Sequence, residues 1–143
     1  MPLRSFMNIH KIAIHLNQLE DKTETGFNFD CTPIDGEIDV LQVDVIGREE
    51  IPIFLSISDN QILCIAYLWG EDEVKEDLRT NMMEAMLEIN ITMPLSSFAK
   101  IGNKYVIFGA LSIHSRLEDI ELEIITLSDN SLEVISAMDS YLN

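Results

Sequence analysis

The apolar residues at the start of the chain recur every three or four positions, which is the spacing of one face of an α-helix. The residues of this stripe are Ile9, Ile12, Leu16 and Leu19. They predict a helix of about four turns near residues 5–21. The polar segment 23–26 is expected to end it.

Strand patterns follow, because apolar and polar residues then alternate with a period of two. The predicted strands are residues 27–31, 38–46, 51–57 and 62–69. The Asp35-Gly36 dipeptide between the first two strands is a strong hairpin signal. Residues 62–69 are apolar at every position, which predicts a central strand covered on both faces.

The second half of the chain has the pattern of a helix, a hairpin and a final helix. The predicted elements are a helix at residues 75–90, strands at 98–101 and 105–113, and a helix from residue 115. A Gly102-Asn103 turn joins the two strands, and Ser115 with Glu118 forms a capping box at the start of the last helix. The polar segment 128–131 leaves open whether that helix is continuous, kinked or split.

Short connections between consecutive strands imply antiparallel pairing. No repeat, low-complexity segment or flexible linker divides the chain. The sequence therefore predicts one α+β domain over residues 1–143. We expect a two-layer fold in which an antiparallel sheet meander and its helices follow the order α-ββββ-α-ββ-α.

The charge balance is strongly acidic, with 25 acidic and 9 basic side chains and a net charge of -16. Such a surface repels phosphate backbones and anionic lipid, which argues against nucleic-acid binding and membrane insertion. It attracts a partner with a basic surface. The alternative interpretation is that the charge serves solubility alone.

The two cysteines, Cys31 and Cys64, lie in apolar strand-like segments and do not form a disulfide framework. They are expected to be buried free thiols in a reducing compartment. No signal-peptide pattern is visible near the N-terminus, and the apolar run 62–69 is too short to span a bilayer. These features predict a cytoplasmic protein.

Motifs of known catalytic and cofactor sites are missing from the sequence. His10 and His15 are five residues apart, and no His, Cys and carboxylate cluster has the spacing of zinc ligands. Neither a nucleophile elbow nor a glycine-rich nucleotide loop is found. The acidic run 71–73 lacks the EF-hand pattern and precedes a helix, whose dipole favours acids there. We expect no enzyme activity, no cofactor and no metal.

Two groups of residues are candidates for contact with another protein. The first is an aromatic-plus-acidic patch of Tyr67, Trp69, Glu71, Asp72 and Glu73. The second is a docking face with Glu118 and Glu121 on the final helix, where seven acids, Glu123 among them, are opposed only by Arg116. The structural alternatives are a favourable helix dipole for the first group and a solvated helix face for the second. Replacing the three acids of residues 71–73 with Ala is expected to weaken partner binding without affecting folding.

Three segments of the chain carry a resemblance to a known family. They are GEIDV at residues 36–40, IFLSISDNQILCIAYLWGEDEV at 53–74 and NITMPLSSFAKIGNKYVIFGALS at 90–112. Together they resemble the YjfI-like family of small bacterial proteins of unknown function. The resemblance implies no catalytic residue. Because members tend to be encoded beside a homologue of phage shock protein A, a coiled-coil membrane-stress protein, it implies a partner of that kind.

The order of elements is also similar to that of type III secretion chaperones and YbjN-like proteins, with one extra strand in the meander. Those are small, acidic, usually dimeric proteins that hold other polypeptides. The leading hypothesis is therefore a non-enzymatic acidic adaptor or chaperone-like protein, with a possible homodimer through an edge strand or the final helix. The alternative is a small-molecule sensor with its ligand near Tyr67, Trp69 and Tyr105. An enzyme with a carboxylate-based site is the third hypothesis, although no pair of acids is placed together in a cleft.

Overall fold

In the part of the chain that this computed structural model describes, residues 7–18 and 26–143, six strands and three α-helices follow the predicted order. The helices are α1 (Ile9–Asn17), α2 (Arg79–Thr92) and α3 (Leu117–Ala137). The strands are β1 (Phe29–Ile34), β2 (Val40–Val45), β3 (Ile53–Ile57), β4 (Gln61–Gly70), β5 (Ser97–Ile101) and β6 (Lys104–Ser112). The predicted α+β class is confirmed.

All six strands join one antiparallel sheet in the spatial order β1-β2-β3-β4-β6-β5. Strands β1 and β5 are therefore its edges, and the four inner strands are hydrogen-bonded on both sides. The hairpin between β5 and β6 turns at Gly102 and Asn103, as the sequence predicts. Gly102 has a φ of 55°, a left-handed conformation that a two-residue hairpin turn favours and that glycine adopts without strain.

The three helices lie on one face of the sheet, so the architecture has two layers. Helix α1 packs on β1, β2 and β3, α3 packs on β4 and β6, and α2 packs on β5. Burial alternates along the strands, as in β2, where Leu41, Val43 and Val45 face the helices and are fully covered. The main helical core residues are Ile12, Leu16, Met82, Met86, Ile120, Ile124 and Leu127. Burying each such side chain stabilises the fold by about 1.5–3 kcal/mol.

Strand β4 differs from its prediction, because only one of its faces is covered. Ile62, Cys64 and Ala66 are buried against the helices, whereas Leu63 and Ile65 on the other face remain half-exposed. An antiparallel sheet commonly packs one face on the core and leaves the other to solvent. The run is apolar throughout because its outward positions are apolar too, and not because a second layer covers them.

The helices lie where the sequence predicts them, but their first and last residues differ from the predicted ones. Helix α1 lies within the helix predicted at residues 5–21. Residues 5–6 and 19–21 of that prediction lie outside the described residues, as do residues 23–25 of the polar segment expected to end the helix. Helix α3 is one continuous helix of 21 residues, so the segment 128–131 does not break it. Its first turn is capped one residue later than predicted, where the Asp119 carboxylate accepts the Arg116 backbone N–H at 3.3 Å.

Candidate interaction surface

Tyr67 and Trp69 lie on opposite faces of the sheet, although residues two apart on a strand normally share a face. A β-bulge between them shifts the register of β4 against β6. The Trp69 side chain is 4% exposed and packs in the core beside Tyr105, with ring centroids 6.1 Å apart. Tyr67 is 44% exposed on the uncovered face. The two aromatic residues therefore do not form one contact surface.

Glu71 is the centre of a polar cluster at the end of β4. Its carboxylate accepts hydrogen bonds from the Tyr105 hydroxyl at 2.5 Å and from the Arg79 guanidinium, and it lies 3.3 Å from the Lys100 amine. These donors lower the pKa of Glu71 to about 2, with the Tyr105 hydrogen bond as the largest cause. Glu71 thus joins the start of α2 to the sheet. Its replacement by Ala would remove all three contacts, so the predicted Ala variant of residues 71–73 also tests whether this link contributes to folding.

The other predicted acids are divided between different parts of the molecule. Asp72 is exposed, and the exposed Glu73 uses its carboxylate to accept the Gly70 backbone N–H at 2.7 Å. On α3, Glu118 is exposed, whereas the Glu121 carboxylate lies 3.7 Å from His15 Nε2 on α1. The structure does not bring the seven candidate residues together.

Glu123 is buried, although the sequence places it among the solvated acids of the final helix. It is 4% exposed, and burial raises its pKa to about 7. Its Oε1 atom has no hydrogen-bond partner among the described residues. The sequence does contain a signal for this burial. Glu123 lies three residues after Ile120 and four before Leu127, a spacing that places it on the buried face of α3.

The sheet face opposite the helices carries a continuous apolar surface. Its five large side chains are Phe54, Leu63, Ile65, Tyr67 and Phe108, which we call the open face. Phe54, Ile65 and Phe108 are register partners across β3, β4 and β6, and the Phe54 and Tyr67 rings meet edge to face at 5.9 Å. No described helix packs on this face. Tyr67 is exposed, and the other four side chains are partly exposed. Contiguous apolar surface in contact with solvent marks sites of interaction.

Two carboxylates stand at one end of the open face. Asp30 on β1 is the direct register partner of Asp44 on β2. Within the described residues neither takes part in an ion pair, and Asp44 accepts a hydrogen bond from the Gln42 amide at 3.2 Å. The pKa of the Cys31 thiol is raised to about 12, first by burial and then by these two negative charges. The surface therefore changes from apolar to acidic between β3 and β1.

A groove of about 240 Å³ separates α2 from β5. Its main lining residues are Met83, Met86, Leu87, Phe98, Lys100 and Tyr105. Beside it, Leu87 and Ile91 on the outer side of α2 are exposed, Ile91 at 87%. The helix predicted at residues 75–90 gave no indication of these exposed apolar positions.

Residues 7–18 and 26–143 contain no group of three or more His, Cys, Asp or Glu side chains arranged to hold a metal ion. None of the helices formed by these residues has the length and apolar character needed to cross a bilayer.

Comparison with known proteins confirms the resemblance predicted from the three segments. The uncharacterized protein YjfI of Escherichia coli strain K12 is 45% identical over 53 residues, which are 34% of this chain and 40% of that protein. YjfI of E. coli O157:H7 matches equally. The matched segment thus spans less than half the length of these relatives.

A similar arrangement occurs in a solved structure, the crystal structure of the ExsC–ExsE complex. The TM-score is 0.48 at 15% identity, over 91% of this chain and 96% of that chain. A family profile described as "Uncharacterized protein conserved in bacteria (DUF2170)" matches residues 9–142, nearly the whole chain. The chain therefore belongs to the DUF2170 family of bacterial proteins.

Proposed function

We propose that this protein is a non-enzymatic, acidic adaptor that holds another polypeptide against the open face of its sheet. The observation that carries the proposal is the open face itself. Soluble antiparallel sheets usually present polar residues on a face without a covering layer. Here Phe54, Ile65 and Phe108 form an apolar row across the three strands β3, β4 and β6, which a bound polypeptide would remove from water.

The charge of the protein supports a partner with a basic surface. A net charge of -16 attracts cationic proteins over a distance of about a Debye length, roughly 10 Å at 0.1 M salt. A coiled-coil protein resembling phage shock protein A is the candidate that the family resemblance suggests. The raised thiol pKa values of Cys31 and Cys64 make both poor nucleophiles, which supports a binding role over catalysis. A cytoplasmic location is part of this proposal.

Site-specific photocrosslinking tests the proposal. The photoreactive residue p-benzoylphenylalanine replaces Ile65 on the open face in cells of the native bacterium. The matched control places the same residue at Leu132, an exposed apolar position on α3. We expect a discrete crosslinked polypeptide from position 65 and none from position 132. Identical products from both positions, or none from position 65, would contradict the proposal.

A small-molecule sensor is the second candidate, and the groove between α2 and β5 is the observation that favours it. Its volume of about 240 Å³ is below the usual 300–1,000 Å³ of ligand pockets, so it suits only a small apolar compound. Tyr105 lines the groove, as the sensor hypothesis anticipates, whereas Tyr67 is on the other side of the sheet. A metabolite that raises the melting temperature of the wild type but not of Met86→Trp, which fills the groove, would favour this function.

A further inference from the structure

We propose that the polypeptide segment held on the open face is an amphipathic helix with one apolar stripe and a basic flank. The stripe packs on Phe54, Ile65 and Phe108, and Lys or Arg side chains of the flank pair with Asp30 and Asp44. This inference rests on the proposed function and names the class of segment that the adaptor holds.

Backbone hydrogen bonding favours a helix over an extended segment. The open face lies over β3, β4 and β6, whose backbone groups are already hydrogen-bonded to neighbouring strands on both sides. An extended segment lying flat on this face would bury its own N–H and C=O groups without partners. A helix satisfies these groups internally. An extended partner would instead need a sheet edge, β1 or β5.

The dimensions of the open face match a short length of one helix. Phe54, Ile65 and Phe108 occupy three adjacent strands, so their row spans about 10 Å, close to the diameter of a helix. Leu63 continues the surface along β4 on one side of the row and Tyr67 continues it on the other. Along β4, the distance from Leu63 to Tyr67 is about 14 Å, which corresponds to about nine helical residues.

The acidic pair selects a basic flank. Asp30 and Asp44 are opposite each other across β1 and β2, an arrangement that is destabilising because like charges repel. Among the described residues no cation offsets this repulsion. Asp44 lies two strands from Ile65, about 10 Å across the sheet and two residues further along it, and Asp30 lies one strand beyond Asp44. A Lys or Arg beside a helix centred on the apolar row reaches toward this side of the sheet.

Charge also argues that the occupant is not a second copy of this chain. Two copies, each with a net charge of -16, repel each other, and a second copy would bring acids rather than cations to the interface. A basic helix gains from the same charges. The occupant of the open face is therefore a different polypeptide in this proposal.

The test uses two designed 18-residue peptides that differ only in their flank. Both carry the same Leu stripe, and one has Lys and the other Glu beside it. Fluorescence anisotropy measures their binding to the wild-type protein at low salt. We expect the Lys peptide to bind at least about ten-fold more tightly. Equal affinities for the two peptides would overturn the inference.

Variants of the acidic pair test the ionic contacts. We expect Asp30→Asn/Asp44→Asn to weaken binding of the Lys peptide about three- to ten-fold at low salt and very little in 1 M NaCl. The matched control Glu118→Gln/Glu133→Gln removes two acids from α3, on the far side of the sheet, and should change binding less than about two-fold. Equal losses in both variants would show a general charge effect and overturn the inference.

Variants of the apolar row test where the helix lies. Ile65→Thr keeps a β-branched strand residue and should weaken binding of the Lys peptide at least about five-fold. Tyr67→Ser is the second variant, because Tyr67 is exposed and lies outside the core, so we expect the fold to stay intact and binding to weaken. Amide chemical shifts should move on β3, β4 and β6 when the peptide binds. Shifts confined to α2 would overturn the inference.

Two outcomes separate this inference from the proposed function. A crosslinked polypeptide at position 65 together with no binding of the Lys peptide would overturn the helix and leave the adaptor proposal standing. Light scattering could instead show that the wild type is a dimer and that Ile65→Thr is a monomer. This result would identify a second copy as the occupant and overturn the inference.

Discussion

The Glu123 carboxyl group occupies the place where a β-carbon on Gly109 would stand. Such a carbon would lie 1.7 Å from Glu123 Oε1 and 2.8 Å from its carboxyl carbon. Glu123 is on α3 and Gly109 is on β6, so the missing side chain allows the buried carboxyl to lie directly on the sheet. Gly109 is thus required for space and not for an unusual backbone conformation.

We expect Gly109→Ala to lower the free energy of unfolding by about 1–3 kcal/mol, because the buried Glu123 side chain must move. Urea denaturation measures the change. Gly36→Ala is the matched control, since its β-carbon would meet only the Ile38 carbonyl oxygen at 3.6 Å, an ordinary contact. In a Glu123→Ala background the cost of Gly109→Ala should fall. An unchanged cost there would contradict the contact between these two residues.

Glu123 should make stability depend on pH near neutrality. Its pKa is about 7 in the folded protein against 4.5 in the unfolded chain, so the native state binds the extra proton between these values. The free energy of unfolding therefore falls as pH rises from about 4.5 to 7, by about 3 kcal/mol in all. Glu123→Gln cannot ionise and should remove this loss.

The measurement for Glu123 is urea denaturation of the wild type and of Glu123→Gln at pH 5 and pH 8. The difference between the two proteins isolates this residue from other titrating groups. Glu133→Gln, at an exposed position on the same helix, is the control and should follow the wild type. Parallel pH profiles for wild type and Glu123→Gln would show that Glu123 titrates normally.

The sequence predicted the order of the elements correctly because most of its strands and helices, β4 excepted, have a clear period. Alternation in β3 and the three- and four-residue spacing in α3 each fix one buried face. The Asp35-Gly36 and Gly102-Asn103 signals indicate that β1 pairs with β2 and β5 with β6, whereas the pairing of β4 with β6 has no local signal. Local patterns of this kind need no information about distant residues.

The candidate surface depends on tertiary relationships that the sequence does not display. The bulge that separates Tyr67 from Trp69 arises in the pairing of β4 with β6. Glu71 looked like a free surface acid, because nothing in the local sequence brings Arg79 and Tyr105 to it. The open face was missed for another reason. An apolar strand residue gives the same pattern whether a second layer covers it or not.

Asn130 should stabilise the connection between α2 and β5. Its side-chain amide donates hydrogen bonds to the Pro94 carbonyl oxygen at 2.8 Å and to Ser96 Oγ at 3.0 Å. Between these acceptors, Leu95 has a φ of 63°, a left-handed conformation that is unfavourable for leucine. The buried Asn130 amide therefore holds a strained segment in place.

We expect Asn130→Ala to lower the free energy of unfolding by about 1–3 kcal/mol, because it leaves the buried Ser96 hydroxyl without its donor and frees the Pro94 carbonyl next to the strained Leu95. Thermal and urea denaturation both measure this change. Asn81→Ala is the control, since Asn81 is exposed on α2, where Ala has the higher helix propensity. A similar stability change in both variants would show that the Asn130 hydrogen bonds contribute nothing specific.

The reactivity of Cys31 should report the negative potential of the acidic pair on the sheet. Burial is the largest cause of its raised pKa, and the charges of Asp30 and Asp44 add to it. Only the thiolate reacts with iodoacetamide, so the alkylation rate at pH 8 follows the thiol pKa. Asp30→Asn/Asp44→Asn should therefore speed alkylation of Cys31 by at least about two-fold. Mass spectrometry of the Cys31 peptide measures this rate separately from that of the buried Cys64.

Two controls make the Cys31 measurement specific. Glu118→Gln/Glu133→Gln removes two acids from α3, and its Cys31 should react at the wild-type rate. In 1 M NaCl the wild type and the Asp30→Asn/Asp44→Asn variant should become more alike, because salt screens exposed charges. An unchanged rate at low salt would mean that burial alone sets the thiol pKa and that the acidic pair exerts no field there. It would also weaken the case that this pair draws basic side chains to the open face.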